Sequence, residues 1–178
     1  VSNMQSYFAV WPIGYPFLIA AVTLITGANV YLASKILSII ISFIILMIFR
    51  NRFRWYSVIY GLLLINYGYL RIFKYTWSEQ PFILGLIWFS FALYDISRSV
   101  RPTFKNYMGL CLSSLFLFLN RYIGAFSIGV MVLFAVISLV IALRDKSNAP
   151  LHFKKFKWCL YVSILNFFLI MFYLYQNI

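Results

Sequence analysis

The sequence predicts an all-α fold, a polytopic transmembrane helical bundle of about six spans with a short external interfacial helix. Three observations predict it. Of 178 residues, 64% are hydrophobic and 10% charged, with a mean hydropathy of +0.91, whereas soluble domains run near half apolar and about a quarter charged. Apolar residues run continuously, without the alternation a transmembrane barrel needs. The basic residues are gathered in short stretches between those runs. A soluble globular domain and a disordered chain are both excluded.

The elements follow in order. Residues 7–26 are apolar enough to span, but Pro12, Gly14 and Pro16 interrupt them. Only 17–26 reads as uninterrupted helix, too short to cross, so residues 1–29 are expected to form an external loop and a short helix at the outer interface. A broken seventh span is the competing reading. Residues 30–178 are expected to form a six-span bundle, so that 1–178 is a single transmembrane domain. Its spans fall at about 30–49, 55–70, 82–96, 107–119, 123–143 and 158–175. Several are shorter than about 20 residues, but aromatic flanks and snorkelling basic side chains let them cross.

Charge sets the orientation. Lys plus Arg number 15 against three acids, a net charge of +12. Eleven of the basic residues fall in three loops: Arg50, Arg52 and Arg54; Arg98, Arg101 and Lys105; Arg144, Lys146, Lys154, Lys155 and Lys157. Six spans put all three loops on one side, which the positive-inside rule makes cytoplasmic. Trp55 and Trp158 then lie at the cytoplasmic interface, Trp11 and Trp77 at the opposite one. The same placement makes nucleic acid an unsuitable partner, and leaves the lipid bilayer as the expected one.

Cys111 and Cys159 sit in apolar runs with no C-x-x-C spacing, and His152 is the lone histidine, in a basic stretch. No disulfide framework, metal site or cofactor is indicated, although a divalent metal is not excluded by pattern. Phosphate-loop, dinucleotide and H-E-x-x-H motifs are missing. Mid-span polar residues are few, for example Ser42, Asn66 and Ser90, so no ionisable relay is expected at the bilayer centre.

The unusual residues collect on the external side. Trp11, Pro12 and Tyr15 lie before or at the short helix, Lys35 lies about a turn and a half into the first span, Arg71, Lys74 and Glu79 join the second to the third, and Arg121 and Tyr122 make a tight turn between the fourth and fifth. Each has a plain alternative. Lys35, Arg71 and Lys74 can snorkel to headgroups. Ser78, Glu79 and Pro81 can merely start a helix. Asn120 and Gly124 can merely make a turn. Arg121 is the hardest to read as incidental, because a four-residue connection on the side poor in positive charge suits a phosphate or buried carboxylate partner.

Taken in order, these landmarks resemble the GT-C class of polytopic membrane glycosyltransferases, in the branch similar to protein O-mannosyltransferases and lipid A aminoarabinose transferases. The matching stretches are Trp11-Pro12-Ile13-Gly14-Tyr15-Pro16, Gly27, Ala33-Ser34-Lys35-Ile36-Leu37-Ser38, Ser78-Glu79-Gln80-Pro81-Phe82 and Leu119-Asn120-Arg121-Tyr122-Ile123-Gly124. They cover nearly the whole chain. The departures are Ile13 for a second proline, Lys35 for arginine, Gln80 inserted before the proline and Asn120 for threonine. The resemblance implies transfer of a sugar from a polyprenyl-phosphate carrier to a glycan, lipid or protein acceptor at the non-cytoplasmic face of a bacterial inner membrane. It places the catalytic carboxylate upstream of the W-P element, so the catalytic base is expected before Val1 and this piece alone is expected to be inactive. It implies that Arg121, assisted by Lys74 or Arg71, steadies the departing phosphate, with Glu79, Tyr122 and Lys35 nearby and Trp11, Pro12 and Tyr15 forming the external loop. Two other classes stand beside it: a transporter or flippase-type protein, and a structural membrane protein.

Overall fold

A computed structural model describes residues 12–64, 67–74 and 78–176, the side chains of 60, 63, 64, 70 and 72–74 aside. Trp11, Asn66 and Trp77, and the side chain of Lys74, therefore lie outside the described residues. No strand occurs among the described residues. The helices are α1 (Gly14–Thr26), α2 (Val30–Phe53), α3 (Ser57–Leu64), α4 (Tyr67–Lys74), α5 (Glu79–Arg98), α6 (Phe104–Asn120), α7 (Phe126–Arg144) and α8 (Ala149–Gln176), with 3-10 turns at Arg54–Tyr56 and Tyr122–Ala125.

Among the described residues, four helical stretches can cross a membrane by length and composition: Val30–Ile59, Glu79–Arg98, Tyr122–Arg144 and Ala149–Gln176. Helix α6 has 17 residues and α1 has 13. At 1.5 Å per residue α1 is about 20 Å long, short of the roughly 30 Å hydrocarbon core.

Local chemistry explains the boundaries. Pro16 sits in the first turn of α1, where no amide is required, and the first helical bond runs from the Phe17 amide to the Ile13 carbonyl at 2.9 Å. Gly27 closes α1 at φ +66°, its amide on the Thr23 carbonyl. The Asn29 side chain caps α2 by accepting from the Leu32 amide at 2.8 Å. Two expected starts move upstream. The span expected from residue 82 begins at Glu79, because Pro81 is tolerated in a first turn whose opening bond is Phe82 amide to Ser78 carbonyl. The span expected from 158 begins at Ala149, because the Asp145–Asn148 turn caps it and Pro150 falls in its first turn. His152, Lys154, Lys155 and Lys157 thus ride on a helix and not in a loop.

The chain divides into two compact units, Ile13–Ile87 and one that includes Trp88–Ile178, with α5 running from one into the other. In the first, Ala33, Leu37, Ile41 and Ile45 form one ridge of α2, and Tyr15 and Ile19 of α1 pack on it. The chain reverses at Arg54. Leu46 lies 3.3 Å from where a Cβ on Gly61 would stand, and Ser42 Oγ and Tyr69 Oη are 2.8 Å apart, so α3 and α4 return along α2. In the second unit, α6, α7 and α8 pack through a polar seam. Ser114 and Ser127 hydroxyls are 2.6 Å apart, and Cys111 Sγ donates to Asn166 Oδ1 at 3.2 Å.

Polarity is inverted relative to a soluble core. Ser34, Ser38, Ser113, Ser114, Ser127, Ser138, Ser163 and Asn166 are buried, while Phe17, Leu24, Phe43, Phe168 and Phe172 are exposed. That distribution suits a hydrocarbon solvent, in which outward apolar side chains cost nothing and inward hydroxyls join helices.

Candidate functional site

The end of the first unit that carries the start of α2 gathers three remote sequence elements. Tyr15, from the W-P-I-G-Y-P stretch, hydrogen-bonds the Ser34 side chain and feels the charge of Glu79. Burial first, and then the Glu79 carboxylate, push the Tyr15 phenol above its usual range. Ser34 is 1% exposed and its hydroxyl also donates to the Tyr31 carbonyl at 2.7 Å. Glu79 Oε2 is buried, and Gln80, 2% exposed, holds its Nε2 buried without a hydrogen-bond partner. Pro12, which falls in the other unit, is also buried. Lys35 sits on the adjacent α2 position with its ammonium 5.0 Å from the Tyr31 ring centre. Arg71 is exposed on α4, which runs back toward this end from the Ser42–Tyr69 contact.

This cluster was only half legible in the sequence. Tyr15, Lys35 and Glu79 stood out by type and place, whereas Ser34 and Gln80 did not. The available signal for Ser34 was its position one residue before an unusual lysine, on the i, i+4 row with Ser38.

Arg121 and Tyr122 belong to the second unit. The α6 helix ends at Arg121, whose backbone is extended and whose amide reaches the Leu117 carbonyl at 3.0 Å. The Gly124 amide returns to the Arg121 carbonyl at 2.7 Å. A Cβ on Gly124 would stand 2.6 Å from Phe118 N and as close to the Leu117 carbonyl, so only glycine fits. Asn120, next to Arg121, is buried, with Nδ2 on the Phe116 carbonyl and Oδ1 without a hydrogen-bond partner. Tyr122 hydrogen-bonds Tyr173 of α8, and Phe118 packs edge-on to the same ring at 5.7 Å.

The far end of that unit carries two of the basic stretches together. Lys155 Nζ donates to the Ser97 carbonyl at 2.8 Å, at the C-terminus of α5, where a cation is favoured. Trp158 stacks on Tyr107 at 5.4 Å and meets Phe104 edge-on. Lys155 is 4% exposed, so the expected solvated loop charge is a buried capping lysine. The Arg121 turn and the Lys155 cluster are separated by the length of α6, about 25 Å.

Among the described residues no group of three His, Cys, Asp or Glu side chains comes together to hold a metal. No protein-family model matches the chain, and no curated protein and no solved structure matches it.

Proposed function

We propose that this chain is part of an integral membrane glycosyltransferase that moves a sugar from a polyprenyl-phosphate carrier to an acceptor at the non-cytoplasmic face. The observation that carries the reading is the meeting of Tyr15, Ser34 and Glu79. These residues come from three stretches of the GT-C-like pattern, separated by 19 and 45 positions in the sequence. The proposal takes six crossings, with α3 and α4 together forming the second and α6 the fourth. The return of α3 and α4 along α2 supports that count.

In the reaction, a base takes the acceptor hydroxyl's proton and the oxygen attacks the anomeric carbon. The bond from that carbon to the phosphate oxygen breaks, and polyprenyl phosphate leaves with the negative charge. Glu79, fixed beside Tyr15, orients a sugar or acceptor hydroxyl. Arg71, Lys74 and Arg121 are the cations proposed to steady the phosphate, each testable by itself.

The test is transfer of radiolabelled sugar from a polyprenyl-phosphate donor by the full-length protein in vesicles. Glu79→Gln and Arg121→Ala should each lower turnover by about 100-fold, the scale of losing one transition-state contact. Arg121→Lys should recover part, because charge returns without the guanidinium fork. Arg144→Gln is the control and should leave turnover near normal. Full activity in both Glu79→Gln and Arg121→Ala would overturn the reading.

A further inference from the structure

The opposite end of α2 carries a second polar site, built around the reversal at Arg54. A surface cavity of about 660 Å³ is lined by Arg50, Asn51, Arg54, Trp55, Ser57 and Val58. Arg50, on the last turn of α2, and Arg54, at the reversal, both line this one cavity. None of the three acids of the chain, Glu79, Asp95 or Asp145, lines the cavity.

A second observation marks the same spot. Among the described residues Arg54 is the one non-glycine with positive φ, at φ 51° and ψ −115°. Those angles match the first central position of a type II′ turn, a backbone conformation that glycine adopts without strain. An arginine held there is a backbone outlier of the kind that collects at binding sites. The Ser57 hydroxyl fixes the turn by donating to the Arg54 carbonyl.

We infer that Arg50, Arg54 and the Trp55 indole form a binding site for the phosphodiester of an anionic phospholipid. Paired guanidiniums match phosphate oxygens bidentately, which lysines do not. The apolar side of the site selects a lipid over a soluble phosphate. Trp55 is 89% exposed, with Tyr56, Val58 and Ile59 also exposed beside it. An indole next to paired cations, at the end of an apolar helix, suits the headgroup layer.

The experiment uses the full chain in phosphatidylcholine nanodiscs, titrated with phosphatidylglycerol and read by native mass spectrometry for retained lipid. The Arg50→Gln/Arg54→Gln double variant should weaken retention by about tenfold or more, and Arg54→Lys by a smaller factor. Lys154→Gln/Lys157→Gln, which removes the same charge from α8, should change it by less than about twofold. Both variants replace exposed side chains, and unchanged helical circular dichroism confirms their folding. Equal retention by the arginine variant and wild type, or equal loss in the lysine variant, would overturn the site. Inorganic phosphate at millimolar concentration should not displace the lipid, and displacement would overturn the assignment to a phospholipid in favour of a soluble phosphate.

Discussion

Asp145 shows how one carboxylate sets a helix boundary. Its Oδ1 accepts from the Ser147 amide at 3.0 Å and from the Ser147 hydroxyl, and its Oδ2 accepts from Asn148 Nδ2 at 2.9 Å. These bonds favour the charged form and hold its pKa down to about 2, from an ordinary 3.8. A depressed carboxylate contributes its stabilisation above the unfolded value and loses it as pH falls through the folded one. The turn before α8 should therefore stay closed at pH 4 and open between about 4 and 2. A carboxyl-carbon NMR titration of Asp145 would check this, and a midpoint near 3.8 would contradict it. Gly124 is the other decisive residue. Gly124→Ala forces its Cβ into the Leu117 carbonyl and should cost about 1–3 kcal/mol in unfolding free energy. It should also move Arg121, so activity should fall with it, whereas Gly129→Ala, which meets nothing within 4 Å, should be close to neutral.

At the scale of elements, the α2 reversal and the polar seam carry the argument. Val30–Ile59 holds an apolar run long enough to cross a membrane, yet the chain turns back at Arg54. Ser42 and Tyr69 meet through the far end of the Tyr69 ring, so cysteines at the two positions lie too far apart for a disulfide but should be bridged by a short bis-maleimide in membranes. A straight continuation of α2 would give no such product, since 27 residues of helix would separate the pair by about 40 Å. In the seam, Ser127→Ala removes the partner of Ser114. Interhelical hydrogen bonds in membranes average about 0.6 kcal/mol, with a ceiling near 1.7, so the loss in unfolding free energy should stay within that range. Asn166 should be more sensitive. It is fully buried and bonded to Cys111, so Asn166→Ala leaves a cavity as well as a lost contact.

At the scale of the whole molecule, many large apolar side chains are exposed while several hydroxyls are buried. The protein is consistent with a multi-pass membrane protein on that ground. Its sidedness is predicted from charge alone. Single cysteines at Arg52, Ser99 and Asn148 should react with a membrane-impermeant thiol reagent only after the cytoplasmic face is opened. One at Ile123, exposed in the turn after Arg121, should react in intact cells. Labelling of Arg52 and Ile123 positions from the same face would remove the six-crossing arrangement, and with it the external placement of Arg121.

Some of this was determined by the sequence itself. The all-helical class follows from uninterrupted apolar runs, because a bilayer leaves the backbone no partners except its own. The short α1 follows from Pro16 and Gly27, which act within one turn of where they stand. Such features are local, so they can be read from neighbours in the chain. Helix starts at Glu79 and Ala149 were misplaced by several residues, because capping depends on whether a turn closes, and charge alone had marked those stretches as loops. Only the tertiary structure decided the rest. Lys155 became a buried cap because Ser97, 58 positions away, offers its carbonyl. Tyr15, Ser34 and Glu79 became one cluster because α1 packs along the Ala33–Ile45 ridge and α5 begins beside it. Arg54 became an outlier because the chain had to reverse there. Each depends on which surfaces meet at long separation, and pairing of distant surfaces is settled by packing, which a one-dimensional pattern does not carry.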